Sequence, residues 1–219
     1  MTPRYRTARS TLAAIALAVA FVAAVSAPTL VQAYPDTPPP GRTGAPSENT
    51  CRTCHSGTLN DGVATFELRN LPAAYMPGET YSLTVSLRRT GMARWGFSLT
   101  SLRDSDNAFA GSLSTGGSAL LLIQSKSSRD YISQTTDFGS NDGTYADWTG
   151  GVTWTFDWTA PPAGTGTVTF YAAGVAANND NSASSADDVY TFAVPLVENV
   201  TTDVTTTTWG RIKRVFMER

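Results

Sequence analysis

Apolar and polar residues alternate with a period of two along much of the chain after residue 60. In the clearest run, 81–88, Tyr, Leu, Val and Leu alternate with Ser, Thr, Ser and Arg. This period places apolar side chains on one face of a strand. The same pattern predicts strands at 152–158, 168–172 and 190–196, and further candidate strands are 63–69, 94–102, 119–124 and 130–136.

Turn-forming pairs separate these runs, and no gap between them holds a helix of convincing length. The pairs are Pro77-Gly78, Asp142-Gly143, Gly150-Gly151 and Pro161-Pro162. About eight strands without intervening helices favour an all-β fold, an antiparallel β-sandwich, with a closed barrel as the alternative. The residues expected to be buried are Leu83, Val85, Trp154, Phe156, Phe170 and Phe192.

The two ends of the chain differ from this pattern. Residues 1–33 combine three arginines, an apolar run over 12–25 and a small residue at position 33, which predicts an export signal cleaved after Ala33. A retained membrane anchor is the alternative, but the run is short and rich in alanine. Residues 199–219 begin with a threonine-rich linker. Trp209, Ile212 and Phe216 among basic residues then predict a short amphipathic helix, which either packs on the domain or docks on a partner or membrane.

Charge narrows the class of partner. The full chain has a net charge of −2, and removal of three arginines with residues 1–33 moves it to about −5. An acidic mature protein argues against nucleic acid as a partner and against broad attraction to anionic lipid. Membrane contact is therefore expected only through the basic tail or an uncleaved signal.

The only two cysteines and the only histidine lie together in Cys51-Arg52-Thr53-Cys54-His55. This C-x-x-C-H spacing is the attachment signature of c-type haem. Cys51 and Cys54 would each bond one vinyl group, and His55 would be the proximal iron ligand. The motif follows a proline-rich stretch, so residues 34–60 are interpreted as an extended segment before a sandwich at 61–198.

Other chemistries of these residues remain as alternatives. A disulfide across two intervening residues would restrain little of the unfolded chain. A thiol oxidoreductase usually has a thioredoxin-like βαβ frame, which the pattern lacks. Zinc would need a ligand beyond the motif. Calcium is disfavoured, because the oxygen-rich turns at 104–107, 178–181 and 187–188 lack EF-hand spacing.

A distal iron ligand, if there is one, would be a methionine. Met76 precedes a proline in a turn and Met217 lies in the tail. Met92 lies in a loop between two predicted strands and is the one expected to project free of the core. Methionine ligation would suit electron transfer, and an open position would suit peroxide or gas chemistry.

Six blocks of sequence resemble a family of exported bacterial proteins with a Reeler-like (choice-of-anchor type) sandwich and an N-terminal C-x-x-C-H motif. The blocks are 39–46, 50–55, 75–81, 95–97, 158–161 and 166–174. The resemblance implies an Ig-like sandwich similar to the Reeler domain of extracellular animal proteins. It also implies that relatives carry a histidine where this chain has Gln134, so that a second histidine ligand, if relatives use one, is lost here.

These observations predict an exported monohaem c-type protein for electron transfer or redox sensing, located in the periplasm, at the cell surface or outside the cell. Its partner would be a redox protein. The alternative is a cell-surface interaction module that contacts protein or glycan, with a structural or absent haem. The third hypothesis is an enzyme, in which a five-coordinate haem would react with peroxide or a small gas.

The first testable prediction is the mature amino terminus. Expressed with its own signal in a bacterium, the chain should be recovered beginning at Tyr34, because the small residue at position 33 suits the signal peptidase. Intact-mass measurement of the exported protein checks this. Recovery of residues 1–33 in the membrane fraction would support the anchor instead.

Overall fold

The structure is a computed structural model that describes residues 34, 36–137 and 141–200. The predicted export signal and the C-terminal amphipathic helix lie outside these residues. Within them, no helix has both the length and the apolar character needed to cross a membrane.

The described residues form eleven strands and one short 3₁₀ helix, Cys51–Thr53. The strands are β1 (Thr65–Arg69), β2 (Thr80–Arg88), β3 (Arg94–Arg103), β4 (Ser112–Ser114), β5 (Leu121–Lys126), β6 (Arg129–Gln134), β7 (Thr136–Asp137), β8 (Asn141–Asp142), β9 (Val152–Thr159), β10 (Val168–Ala177) and β11 (Asp188–Leu196).

Two antiparallel sheets make the sandwich. One has the order β1-β2-β9-β4 and the other the order β11-β10-β3-β6-β5, with β7 and β8 as a small separate pair. The prediction of an all-β antiparallel sandwich is confirmed, and each of the eight predicted runs forms a strand. The sheets are two open layers, so the alternative of a closed barrel is wrong.

The core lies between the two sheets and is rich in aromatic side chains. Trp95, Trp154 and Trp158 are buried, and each indole N–H donates to a backbone carbonyl, at 2.7, 2.9 and 3.2 Å respectively. Satisfied donors let indoles enter an apolar core without a desolvation penalty.

Five of the six residues that were predicted to be buried are indeed buried: Leu83, Val85, Trp154, Phe156 and Phe170. The prediction for Phe192 is wrong in degree, because this side chain is only half-buried. It lies on β11, at the edge of its sheet, where it packs on Phe66 with ring centroids 4.8 Å apart.

The five-stranded sheet is buried on its outer face as well. Ser98, Thr100 and Ala173 alternate with core residues on β3 and β10, yet all three are fully buried. Residues 36–60, called the cover segment below, lie on this side of the sheet. Its residues 58–60 pair with the edge strand β11 through backbone bonds from Val189 to Thr58 and from Asn60 to Val189. The cover segment is therefore docked on the sandwich.

Glu48 fixes the middle of the cover segment. Its carboxylate accepts hydrogen bonds from Thr43 Oγ1 at 2.6 Å, Tyr131 Oη at 2.7 Å and Arg129 Nη1 at 2.8 Å. Burial raises the pKa of Glu48, but these three bonds outweigh burial and leave the pKa below its ordinary value. Burial and the neighbouring Glu48 carboxylate in turn raise the pKa of Tyr131.

This network predicts that Glu48→Gln lowers the free energy of unfolding by about 1–3 kcal/mol at neutral pH, because charge-assisted bonds are lost. A carboxyl with a lowered folded-state pKa stabilises the fold above its unfolded value of 4.5 and loses that effect as the pH falls through the folded value. The deficit of the variant should therefore shrink in acid. Urea denaturation at neutral pH and well below pH 4.5 measures both effects. The control is Glu67→Gln on β1, where the carboxylate is 43% exposed; equal losses in the two variants would contradict the prediction.

Candidate functional site

The cysteine motif forms a single tight turn. Thr50 caps the 3₁₀ helix by accepting a bond from Arg52 N at 3.2 Å, and the backbone N–H groups of Cys54 and His55 both donate to Cys51 O at 3.1 Å. Side chains three residues apart are eclipsed in a 3₁₀ helix. Cys51 and Cys54 therefore point to the same side, and both are free thiols.

His55 is held by a buried carboxylate. Its Nδ1 lies 2.8 Å from Asp187 Oδ2, and the Asp187 side chain is 1% exposed against 20% for His55. Because a carboxylate accepts hydrogen bonds, this bond requires a proton on Nδ1. In the neutral ring the lone pair is then on Nε2, the atom that faces away from this bond.

Asp187 is itself fixed by the loop that precedes β11. It accepts bonds from the backbone N–H groups of Asn178 at 3.3 Å and Ser184 at 3.4 Å. The backbone of Gly57 approaches so closely that a Cβ there would lie 1.9 Å from the Asp187 carbonyl oxygen. Only glycine fits this contact, which presses the chain after His55 against Asp187.

The neighbouring carboxylate, Asp188, binds the next part of the cover segment. It accepts a bond from Thr58 N at 3.1 Å and pairs with Arg89 Nη2 at 2.9 Å, and Arg89 also lies 3.2 Å from Asp61. The bond with Asp188 raises the pKa of the Arg89 guanidinium. Two successive carboxylates thus hold the turn that carries the motif.

Cys51 is poorly suited to thiol chemistry in the folded chain. Burial raises the pKa of its thiol to about 12, although the nearby Arg42 acts in the opposite direction. Reactive thiols in oxidoreductases have lowered pKa values. This environment therefore opposes the thiol oxidoreductase alternative.

Arg42 is a feature of the site that sequence patterns did not single out. It lies close enough to influence the charge of Cys51, and its Nε is buried without a hydrogen-bond partner. Buried polar groups are normally paired. The motif therefore has a cation beside it with unused hydrogen-bonding capacity.

Met92 does not project free of the core, so that expectation is wrong. It is half-buried and packs against the core cluster, because the turn between β2 and β3 folds onto the sandwich. Gln134 is buried on β6, where its Oε1 accepts a bond from Phe97 N at 2.6 Å. This bond joins β6 to β3, and a relation of position 134 to a haem stays a prediction.

The oxygen-rich turns are used for local hydrogen bonds. Asp180 accepts from Ser182 N and Asn178 Nδ2, Asp104 accepts from Thr169 Oγ1, and Asp106 pairs with Arg103. Within the described residues, no three His, Cys, Asp or Glu side chains form a group that could hold a metal ion.

The motif fits a c-type haem in three respects: two thiols on one side of a turn, a histidine with its second nitrogen anchored, and an adjacent cation. Metal-binding histidines commonly donate their other N–H to a carboxylate or carbonyl in this way. Sequence analysis identified Cys51, Cys54 and His55, and the structure brings them together. It missed the role of Asp187, which is 132 positions away from His55.

Comparison with known proteins gives only distant structural likenesses. A human F-spondin reeler domain fragment is 23% identical, with a TM-score of 0.45, over 68% of this chain and 99% of that one. The Reelin-N domain of F-spondin is also 23% identical, with a TM-score of 0.46, over 68% and 95%. AvmM, which catalyses macrocyclization in alchivemycin A biosynthesis, is 14% identical, with a TM-score of 0.39, over 66% and 94%. No protein-family model matches the chain, and no curated protein is significantly similar to it. The functional argument therefore rests on the residues of this chain.

The close contact at Gly57 predicts that Gly57→Ala dislodges the motif. The added methyl group meets backbone, which cannot move aside cheaply, so we expect a loss of about 1–3 kcal/mol in stability. Trypsin should also cleave faster after Arg42. Urea denaturation and timed proteolysis measure the two effects. The neighbouring Ser56→Ala, at an exposed position, is the control; a Gly57 variant as stable as this control would refute the contact.

Proposed function

We propose that the chain is an exported c-type haem protein that serves electron transfer or redox sensing. Cys51 and Cys54 attach the haem, and His55 Nε2 binds the iron. The observation that carries the proposal is the 2.8 Å bond between His55 Nδ1 and the buried Asp187, because it leaves the correct nitrogen available for a metal.

Each residue of the motif has a separate task in this proposal. The 3₁₀ turn presents both thiols to one face, and the cover segment holds that turn on the sandwich. Arg42 offers a cation to the carboxylates of the haem.

A bound haem would supply a one-electron redox couple, with His55 as one ligand of its iron. His55 is the only histidine of the chain, so bis-histidine ligation within one chain is excluded. Met92 packs against the core, and both its assignment as a second iron ligand and the alternative of an open position stay predictions.

The second candidate function is an extracellular interaction module of the Reeler-like type, which needs no haem. It is favoured by a sandwich that forms a continuous hydrophobic core from its own side chains. Apolar residues are also exposed near the ends of the strands, notably Trp148 at 59% and Val63 at 63%. This candidate predicts structural likeness to Reeler domains, and the structural comparisons name such domains. Protein or glycan would be its ligand.

The deciding experiment is expression of the full chain in a bacterium with c-type maturation machinery. We expect the purified protein to exceed its polypeptide mass by one haem and to give a pyridine haemochrome spectrum of thioether-bound haem. The control is the full chain with Cys51→Ala and Cys54→Ala, which should carry no covalent haem. An unmodified mass of the wild-type protein would overturn the haem proposal and leave the interaction module.

A further inference from the structure

The only histidine of the chain and a carboxylate 132 positions away in the sequence meet in a bond that is largely shielded from water. His55 lies in the cover segment, and Asp187 immediately precedes β11, with Nδ1 and Oδ2 2.8 Å apart. A hydrogen bond to an ionised acceptor is about twice as strong as a neutral one, and a low local dielectric strengthens it further.

From this geometry we infer that Asp187 is a positioning residue that fixes the tautomer of His55 and makes its Nε2 a stronger electron donor to iron. The inference rests on the proposed function for its effect on iron. Its effect on the tautomer concerns the protein alone.

The geometry assigns this role to Asp187 and not to the adjacent carboxylate. Asp188 lies next to it in the chain, but its oxygens are engaged by Arg89 and Thr58 N. The remaining bonds to Asp187 come from neutral backbone N–H groups of Asn178 and Ser184. Among these partners, His55 is therefore the side chain that interacts with the charge of Asp187.

A strong bond at Nδ1 gives the imidazole partial anionic character, which increases electron donation from Nε2. The ferric ion carries one more positive charge than the ferrous ion, so it gains more from this donation. Asp187 would therefore hold the couple at a lower reduction potential than a neutral hydrogen-bond acceptor would. Second-sphere hydrogen bonding is one of the main means by which a protein tunes a haem.

Two variants of the full chain test this inference: Asp187→Asn, which removes the charge from the bond to His55, and Asp180→Asn, which removes an exposed charge from the same loop that makes only local hydrogen bonds. In the haem-loaded proteins, we expect Asp187→Asn to shift the ferric–ferrous equilibrium about tenfold toward ferrous iron, a rise of about 59 mV in reduction potential. Asp180→Asn should remain close to the wild type.

A second measurement uses the haem-free chain with Cys51→Ala and Cys54→Ala. Because the chain has one histidine, its ¹⁵N spectrum reports His55 alone. We expect the proton on Nδ1, and we expect Asp187→Asn in this background to weaken that preference while Asp180→Asn leaves it unchanged.

The outcomes separate the two proposals. Absence of covalent haem in the wild type defeats the proposed function, and the nitrogen spectrum still tests the tautomer. Haem-loaded variants with equal potentials overturn the inference and leave the proposed function standing. A proton on Nε2 in the haem-free chain overturns the inference even if Asp187→Asn does not fold.

Discussion

The arrangement of this protein depends on two carboxylates at the start of the last strand. Asp187 and Asp188 are nearly inaccessible to solvent, and a buried carboxylate is costly unless it is hydrogen-bonded. Each of them has one partner in the cover segment, His55 for Asp187 and Thr58 for Asp188. Folding of the sandwich therefore creates a demand for hydrogen bonds that the N-terminal segment helps to satisfy.

The same bonds hold the motif against the domain although it precedes the domain in sequence. Thr58 bonds to Asp188 on β11, and Glu48 binds Arg129 and Tyr131 on β6, so the cover segment is tied to the five-stranded sheet. Asp188 in turn pairs with Arg89, which directly follows β2 of the opposite sheet. Removing one partner would leave a buried charge uncompensated, which typically costs more than the bond itself is worth.

Local sequence patterns predicted the eight longer strands because alternation with period two reflects burial between the sheets directly. They gave no prediction for β4, because its three residues Ser112, Leu113 and Ser114 are too few to show alternation. Hydrogen bonding to β9 makes this segment a strand. Tertiary context overrides local preference in such short edge strands.

The candidate site was predictable in part for a similar reason. Cys51, Cys54 and His55 were found because the C-x-x-C-H signature is defined by a fixed local spacing. Asp187 was read only as an oxygen-rich turn residue, since no local pattern indicates a partner 132 positions away. Docking of the cover segment was missed as well, because Glu48 and Gly57 serve contacts that exist only in the folded chain.

A freely extended motif and a docked motif differ in what they offer a metal. On a free segment, His55 would exchange between tautomers and rotamers. Metal binding would then cost the conformational entropy of fixing the ring. Here Asp187 fixes the ring, Gly57 fixes the backbone beside it, and the 3₁₀ turn fixes the two thiols. Ordering of the site is coupled to folding of the sandwich. In the proposed haem protein, the all-β domain would do for the motif what a bundle of helices does in an all-helical cytochrome, which is a physical reason for the two to occur in one chain.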